Sequence, residues 1–124
     1  MAKYKYHERY AVWLNHEKRC WLCKEPLRID ETTIDHILPE SLLDDEKKKK
    51  KVFEIYGLND KFRINGFENW LPAHLVCNQN KGSSILNCVP LYAFILNRTI
   101  KKAEKVLRTS QAMQIKINSY QKLQ

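Results

Sequence analysis

Residues 74–82 read His74-Leu75-Val76-Cys77-Asn78-Gln79-Asn80-Lys81-Gly82, and how this stretch is taken decides the fold. His74 and Cys77 are spaced H-x-x-C, and far upstream Cys20-Trp21-Leu22-Cys23 repeats that spacing. Each x-x interval lets the chain turn back so that both side chains reach one ion, and zinc asks for four soft or borderline donors on a tetrahedron. A lone C-x-x-C reads equally well as two buried thiols, and His74 alone as a satisfied histidine. Two such pairs, in a chain with no disulfide-rich pattern, point to metal. A site closed by Cys20, Cys23, His74 and Cys77 leaves no position for water, so it fastens and does not catalyse. A small domain gains from such a clip because metal-binding free energy becomes folding free energy. Cys88 lies outside the spacing and is expected as a small core residue.

Working outward, Trp70-Leu71-Pro72 reads as a short strand after the Asn65-Gly66 turn signal, and a short helix weakened by Gly82 is expected from Asn78 to about residue 85. Leu27-Arg28-Ile29 and Thr32-Thr33-Ile34 predict a hairpin or strand that runs into Asp35-His36 and stops at Pro39. Residues 7–19 suit a helix with Tyr10, Trp13 and Leu14 on one side; His7 and His16, lacking a partner pattern, are expected on its surface. Ser41 or Asp44 is placed to cap a helix through the lysine run 47–51 to Tyr56, with Gly57 ending it. From Pro90 onward the spacing predicts a long helix with an apolar stripe of Leu96, Ile100, Ala103 and Leu107, continued by Met113, Ile117 and Tyr120.

The chain has 124 residues, enough for one domain with a modest core. It has no run approaching the ~20 apolar residues that span a bilayer. No apolar signal core follows the basic start, so a cytoplasmic protein, of a bacterial or phage-infected cell, is expected. The net charge is +8, and from Asn69 onward eight basic residues meet one acid, Glu104. That asymmetry fits a polyanionic partner, since basic side chains gain affinity by displacing phosphate counterions. Lys81, Arg98, Lys101, Lys102, Lys105 and Arg108 are the candidate nucleic-acid contacts; a solvated helix face is the competing explanation for the last five.

Between the donor pairs lie Asp35-His36-Ile37-Leu38-Pro39 and Asn69-Trp70-Leu71. Singly each is weak; their order, interlocked with Cys20-x-x-Cys23 and His74-x-x-Cys77-Asn78-x-x-Lys81-Gly82, is specific. This arrangement resembles the HNH endonuclease family over roughly residues 20 to 84. The pattern departs in two places: His74 stands where a cysteine is usual, and the stretch between Pro39 and Asn69 is longer and more basic than the usual glycine-containing loop.

The resemblance implies an α+β fold, a ββα-metal core over about residues 20–85 stapled by zinc. N-terminal and long C-terminal helices would flank it, the tail over about 90–123, all in one domain. It implies that Asp35 and Asn78 bind a catalytic magnesium or manganese ion, that His36 is the general base, and that Asn69 fixes the backbone presenting His36. Glu40 and Asn80 stand close enough to assist. Hydrolysis of a phosphodiester suits this set. A neutral imidazole accepts a proton near pH 7, and an Asp with an Asn makes a hard, half-open oxygen shell. Neighbouring residues of a regular strand face opposite ways, so Asp35 and His36 can share a site only where the strand ends or bulges. The expected activity is cleavage of nucleic acid, double-stranded DNA above all. The alternative is a zinc-organised nucleic-acid-binding module without catalysis. Oligomeric state is left open.

Overall fold

The computed structural model describes residues 3–81 and 89–123; Gly82, Cys88 and the expected helix beyond Lys81 lie outside the described residues. Helix α1, Tyr6–Asn15, buries Ala11 and Val12. It ends earlier than the sequence suggested because Glu17 and Lys18 adopt left-handed backbone, with φ of 67° and 55°. The turn folds His16 inward, to 7% exposure, while His7 hydrogen-bonds the Ser110 hydroxyl at 2.9 Å. Neither histidine is therefore the solvated surface residue expected from sequence. A helical periodicity reports neither where a helix stops nor what a later helix lays against it.

Strands β1, Thr32–His36, and β2, Trp70–His74, form a two-stranded antiparallel sheet with Thr32 opposite His74 and His36 opposite Trp70. The chain between them carries helix α2, Glu46–Tyr56, so the pair is no tight hairpin. Asp45, one residue past the expected cap, accepts from the Lys48 amide; Gly57, at φ 66°, supplies the left-handed residue that ends α2. The segment Ile29–Glu31, expected to join the strand, is a turn of 3-10 helix.

Alternation along the strands separates two apolar clusters. Ile34 and Trp70 pack with Val12, Phe67 and Val106, whereas Leu71 and Ala73 join Cys20, Trp21, Leu38, Tyr92 and Leu96. Helix α3, Leu75–Lys81, follows β2 without a break and lies on β1 through Asn78. The molecule is thus mixed α and β, with helices on both faces of a minimal sheet.

Helix α4, Val89–Lys122, closes both clusters. Its buried face differs from the predicted stripe: Tyr92, Leu96, Thr99, Val106 and Ser110 are buried, while Ile100 and Leu107 are exposed. Thr99 can be interior because its hydroxyl donates to the Ile95 carbonyl one turn back, at 2.8 Å. A hydropathy stripe that counts only apolar letters therefore comes out rotated.

Tyr92 is fully buried and its hydroxyl has no hydrogen-bond partner among the described residues; burial, with smaller contributions from Asp35 and Tyr56, pushes its pKa up to about 12. Removing an unsatisfied buried hydroxyl relieves a desolvation penalty. Tyr92→Phe is expected to leave the urea midpoint unchanged or raise stability by up to ~1 kcal/mol; a loss larger than that would mean the hydroxyl is bonded.

Candidate metal centre and active site

Cys20 and Cys23 sit in a tight turn. An isolated bridge pairs Arg19 with Pro26, Cys20 N–H donates to the Glu25 carbonyl at 2.9 Å, and Lys24 N–H donates to the Cys20 carbonyl at 2.9 Å. Lys24 holds the left-handed conformation the turn needs, φ 70°, with its ammonium on the Trp21 carbonyl at 2.7 Å. Trp21 N–H reaches the carbonyl of Pro72 in β2 at 3.0 Å, which ties the turn to the sheet. Opposite stand His74, the last residue of β2, and Cys77, one turn into α3.

The four donor atoms all lie within 4.8 Å of one another, with Cys23 Sγ 3.4 Å and Cys77 Sγ 3.9 Å from His74 Nδ1. The edges of a zinc tetrahedron with ordinary Zn–S and Zn–N bonds are roughly 3.5–3.8 Å. The set can hold a metal ion and is compatible with a structural zinc. Burial alone would push the Cys20 thiol up, but N–H groups of Cys23, His74 and Leu22, with the His74 side chain, bring it down to about 6. Cys77 goes up to about 11, through burial and then the neighbouring Cys20 and Cys23 sulfurs. Crowded thiols of this kind are what a cation would relieve. Glu31, a residue the sequence did not single out, lies 3.5 Å from His74 Nε2. A carboxylate there fixes the tautomer that leaves Nδ1 free to ligate.

Asn69 is fully buried and spans two chain segments. Its Oδ1 accepts from Leu38 N–H, and its Nδ2 donates to the Leu38 and Ile64 carbonyls, each at 2.9 Å. Its own carbonyl accepts from Ile37 N–H at 2.9 Å. The backbone just past His36 is thus held where the ladder stops.

His36 closes β1 against Tyr4 and Trp70. Its Nε2 is 2.8 Å from Asn65 Oδ1, 3.2 Å from Trp70 Nε1 and 3.3 Å from the Tyr4 hydroxyl. One nitrogen cannot both donate to Asn65 and accept from Trp70, so gain of a proton exchanges one bond for the other. Burial lowers the His36 pKa, against the Asn65 hydrogen bond and the nearby Glu40 charge, which favours the neutral ring. Glu40 is salt-bridged to Lys3. Asn65 carried only a turn signal in the sequence; it is the turn that brings its amide to the imidazole.

Asp35 projects from the opposite face of β1. Its Oδ2 accepts from Trp21 Nε1 at 2.8 Å, and Lys81 Nζ lies 3.3 Å from its Oδ1. Lys81 also donates to the His36 carbonyl at 2.8 Å, and both side chains of the pair are almost wholly buried. Desolvation raises the Asp35 pKa, opposed by Lys81 and Trp21. Asn78 donates to Thr33 Oγ1 at 3.4 Å and the Ile34 carbonyl at 3.1 Å, on the face of β1 that carries Thr33 and Asp35. Asp35 and Asn78 therefore share a face and His36 takes the other; no hydrogen bond joins the three. Lys81, a candidate phosphate contact in sequence, is turned inward. Arg98, Lys101, Lys105 and Arg108 are exposed on α4, while Lys102 is half-buried with its ammonium on the Asn15 carbonyl at 3.1 Å. Asn80 is exposed in α3.

Two outcomes follow for stability. Elemental analysis is expected to find one zinc per chain, and a strong chelator to lower the thermal midpoint by roughly ten degrees or more, because the ion holds the Cys20 turn to β2 and α3; an unchanged midpoint with no bound zinc overturns the centre. Asn69→Ala strands three buried backbone groups and is expected to cost about 3–5 kcal/mol in urea unfolding of the zinc-loaded protein; under 1 kcal/mol would show that water replaces the amide.

No protein-family model, no curated protein and no solved structure matches this chain, so the geometry above carries the functional reading.

Proposed function

We propose that the chain is a metal-dependent endonuclease of the HNH type, which hydrolyses the phosphodiester backbone of double-stranded DNA with His36 as general base. The observation that carries this is the end of β1. There a neutral histidine closes the strand, Asn69 clamps the backbone behind it, and α3 brings Asn78 and the Lys81 ammonium to the same strand. Each is a position the HNH pattern implies, and the zinc-donor cluster sits next to Asn78 along the same helix.

The scissile phosphate is expected across the strand end, where both faces of β1 are within reach. His36 takes a proton from the attacking water as the water oxygen bonds to phosphorus and the bond to the 3′-oxygen breaks. Asp35 and Asn78 would hold a magnesium or manganese ion; oxygen donors on one strand face suit such hard cations, and Asp35 already draws the Lys81 ammonium. When bound, the ion would supply positive charge where the phosphate and leaving oxygen become more negative. Lys81 can remain on the His36 carbonyl when it yields Asp35. Buried Trp21, donating to the other carboxylate oxygen, keeps Asp35 oriented. The Asp35–Lys81 pair also favours a second reading, a zinc-organised nucleic-acid-binding module, because a carboxylate satisfied by lysine and tryptophan does not require an ion.

Zinc-loaded protein with magnesium or manganese is expected to nick or cut plasmid DNA. His36→Ala and Asp35→Asn should each slow cleavage by about 10² or more while retaining zinc. The rate is expected to be level above pH 7 and to fall on acidification with a midpoint below the ordinary histidine value of ~6.5, because burial lowers the His36 pKa and only the unprotonated ring is a base. If His36→Ala cuts as fast as the parent, the mechanism is wrong; tight binding to duplex DNA with no cleavage under either metal leaves the binding module.

A further inference from the structure

A second feature lies away from the β1 end. Between the turn after α1, the Cys20 turn and α4 is a cavity of about 260 Å³. Its lining brings together four cations from two chain segments: Arg19 and Lys24 from the cysteine turn, and Arg98 and Lys102 from α4. Among the described residues Glu17 is the only acid that lines it. Among the described residues none of the four cations lies within ion-pair distance of a carboxylate. Three of them are steered by backbone carbonyls instead: Arg19 by that of Lys24, Lys24 by that of Trp21, and Lys102 by that of Asn15. Arg98 lies over the Phe94 ring, 5.8 Å from its centroid. Each anchor leaves further N–H donors unspent, since a guanidinium has five and an ammonium three.

His16 also lines the cavity. It is more than nine-tenths buried, and its Nε2 has no hydrogen-bond partner among the described residues. Like charges gathered in a concave site with low-dielectric walls repel one another, and such a fold is relieved by a counter-charge. The histidine reports that field: burial, then Lys102 and Arg98, push it down to about 3.

We propose that this cavity is a phosphate-binding site, in which Arg19, Lys24, Arg98 and Lys102 surround the anion. Arginine forks and lysine point charges are the usual partners of phosphate oxygens. The floor includes Trp21, whose indole N–H holds Asp35, so the cavity and the candidate active site share one side chain. If the phosphate belongs to a nucleic-acid backbone, the site deepens the nuclease reading by adding a second phosphate contact behind the cleavage point. If it is a free phosphate, the site stands without that reading.

The test uses zinc-loaded full-length protein titrated with inorganic phosphate at constant ionic strength, followed by NMR at the amides of residues 16–24. Saturable shifts are expected in the parent. Arg98→Gln and, separately, Lys24→Gln should weaken them by at least about tenfold, while Lys116→Gln, an exposed change elsewhere on α4, leaves them alone. Arg98 is exposed, so its replacement does not threaten the core. A parallel titration with a short DNA duplex assigns the source. If the duplex also loses affinity in Arg98→Gln and not in Lys116→Gln, the phosphate is a backbone phosphate; if only inorganic phosphate is affected, the ligand is a free one. Absence of saturation in the parent, or saturation unaltered in both Arg98→Gln and Lys24→Gln, overturns the proposal. A protein that binds phosphate here yet never cuts DNA keeps this site and loses the nuclease.

Discussion

A two-stranded sheet has few ladder bonds and two open ends, and everything around β1 and β2 answers that constraint. At one end, where Thr32 faces His74, the chain runs directly into the four-donor cluster. At the other, where His36 faces Trp70, the strands part, and Asn69 takes over the role of the missing ladder with bonds to Leu38 and Ile64. One end is thus suited to a metal clip and the other is closed by a single amide. The faces are covered by α1 and α3, and α4 packs over both apolar clusters. Because the sheet carries so little stability of its own, its position depends on these two closures. The residues beside them, Asn78 on α3 against Thr33 and Ile34 and His36 at the end of β1, acquire fixed places as a consequence.

The burial of Asp35 with Lys81 is hard to justify as a device for stability alone. Taking two charges out of water costs several kcal/mol per ion, and apolar side chains of the same volume often do as well. The pair makes more sense as a held charge. Trp21 and Lys81 keep the carboxylate oriented despite a burial that would otherwise favour its neutral form, and the ammonium stays attached to the His36 carbonyl. The histidine on the reverse face is kept neutral by burial, its Nε2 facing Asn65 and Trp70. Acid and base character are therefore separated by the thickness of one strand, and they can act on one group only at the strand's end.

Much of this was legible in the sequence because it follows from spacing. The two x-x pairs gave the donor cluster, the β-branched run at 32–34 gave β1, and Gly57 gave the end of α2. What escaped was set by tertiary partners. Asn65 and Glu31 carry no motif; each matters only because a turn places it against a histidine. His16 read as a surface residue because it has no partner pattern, yet two left-handed residues follow it and it is buried. The α4 stripe came out rotated because Thr99 and Ser110 are buried with hydroxyls satisfied by the Ile95 carbonyl and by His7. An alphabet that sorts residues into apolar and polar cannot anticipate that.

Charge illustrates the same limit from the other side. Counting along the chain puts nearly all the positive excess in the second half, which suggests a basic tail laid along a polyanion. In three dimensions part of that charge does not lie along a stripe on the tail. Two α4 residues, Arg98 and Lys102, line one cavity with Arg19 and Lys24 from the cysteine turn and with His16, whose Nε2 has no hydrogen-bond partner among the described residues. Arg108, by contrast, is spent on Glu104 one turn away. A solvated stripe attracts phosphate with little preference for position, since salt screens each charge separately. A concave cluster built on backbone carbonyls and on the turn that carries two metal donors has a fixed place relative to β1. If nucleic acid is the partner, its register on this protein is therefore set at the cysteine turn and not along the helix that holds most of the charge.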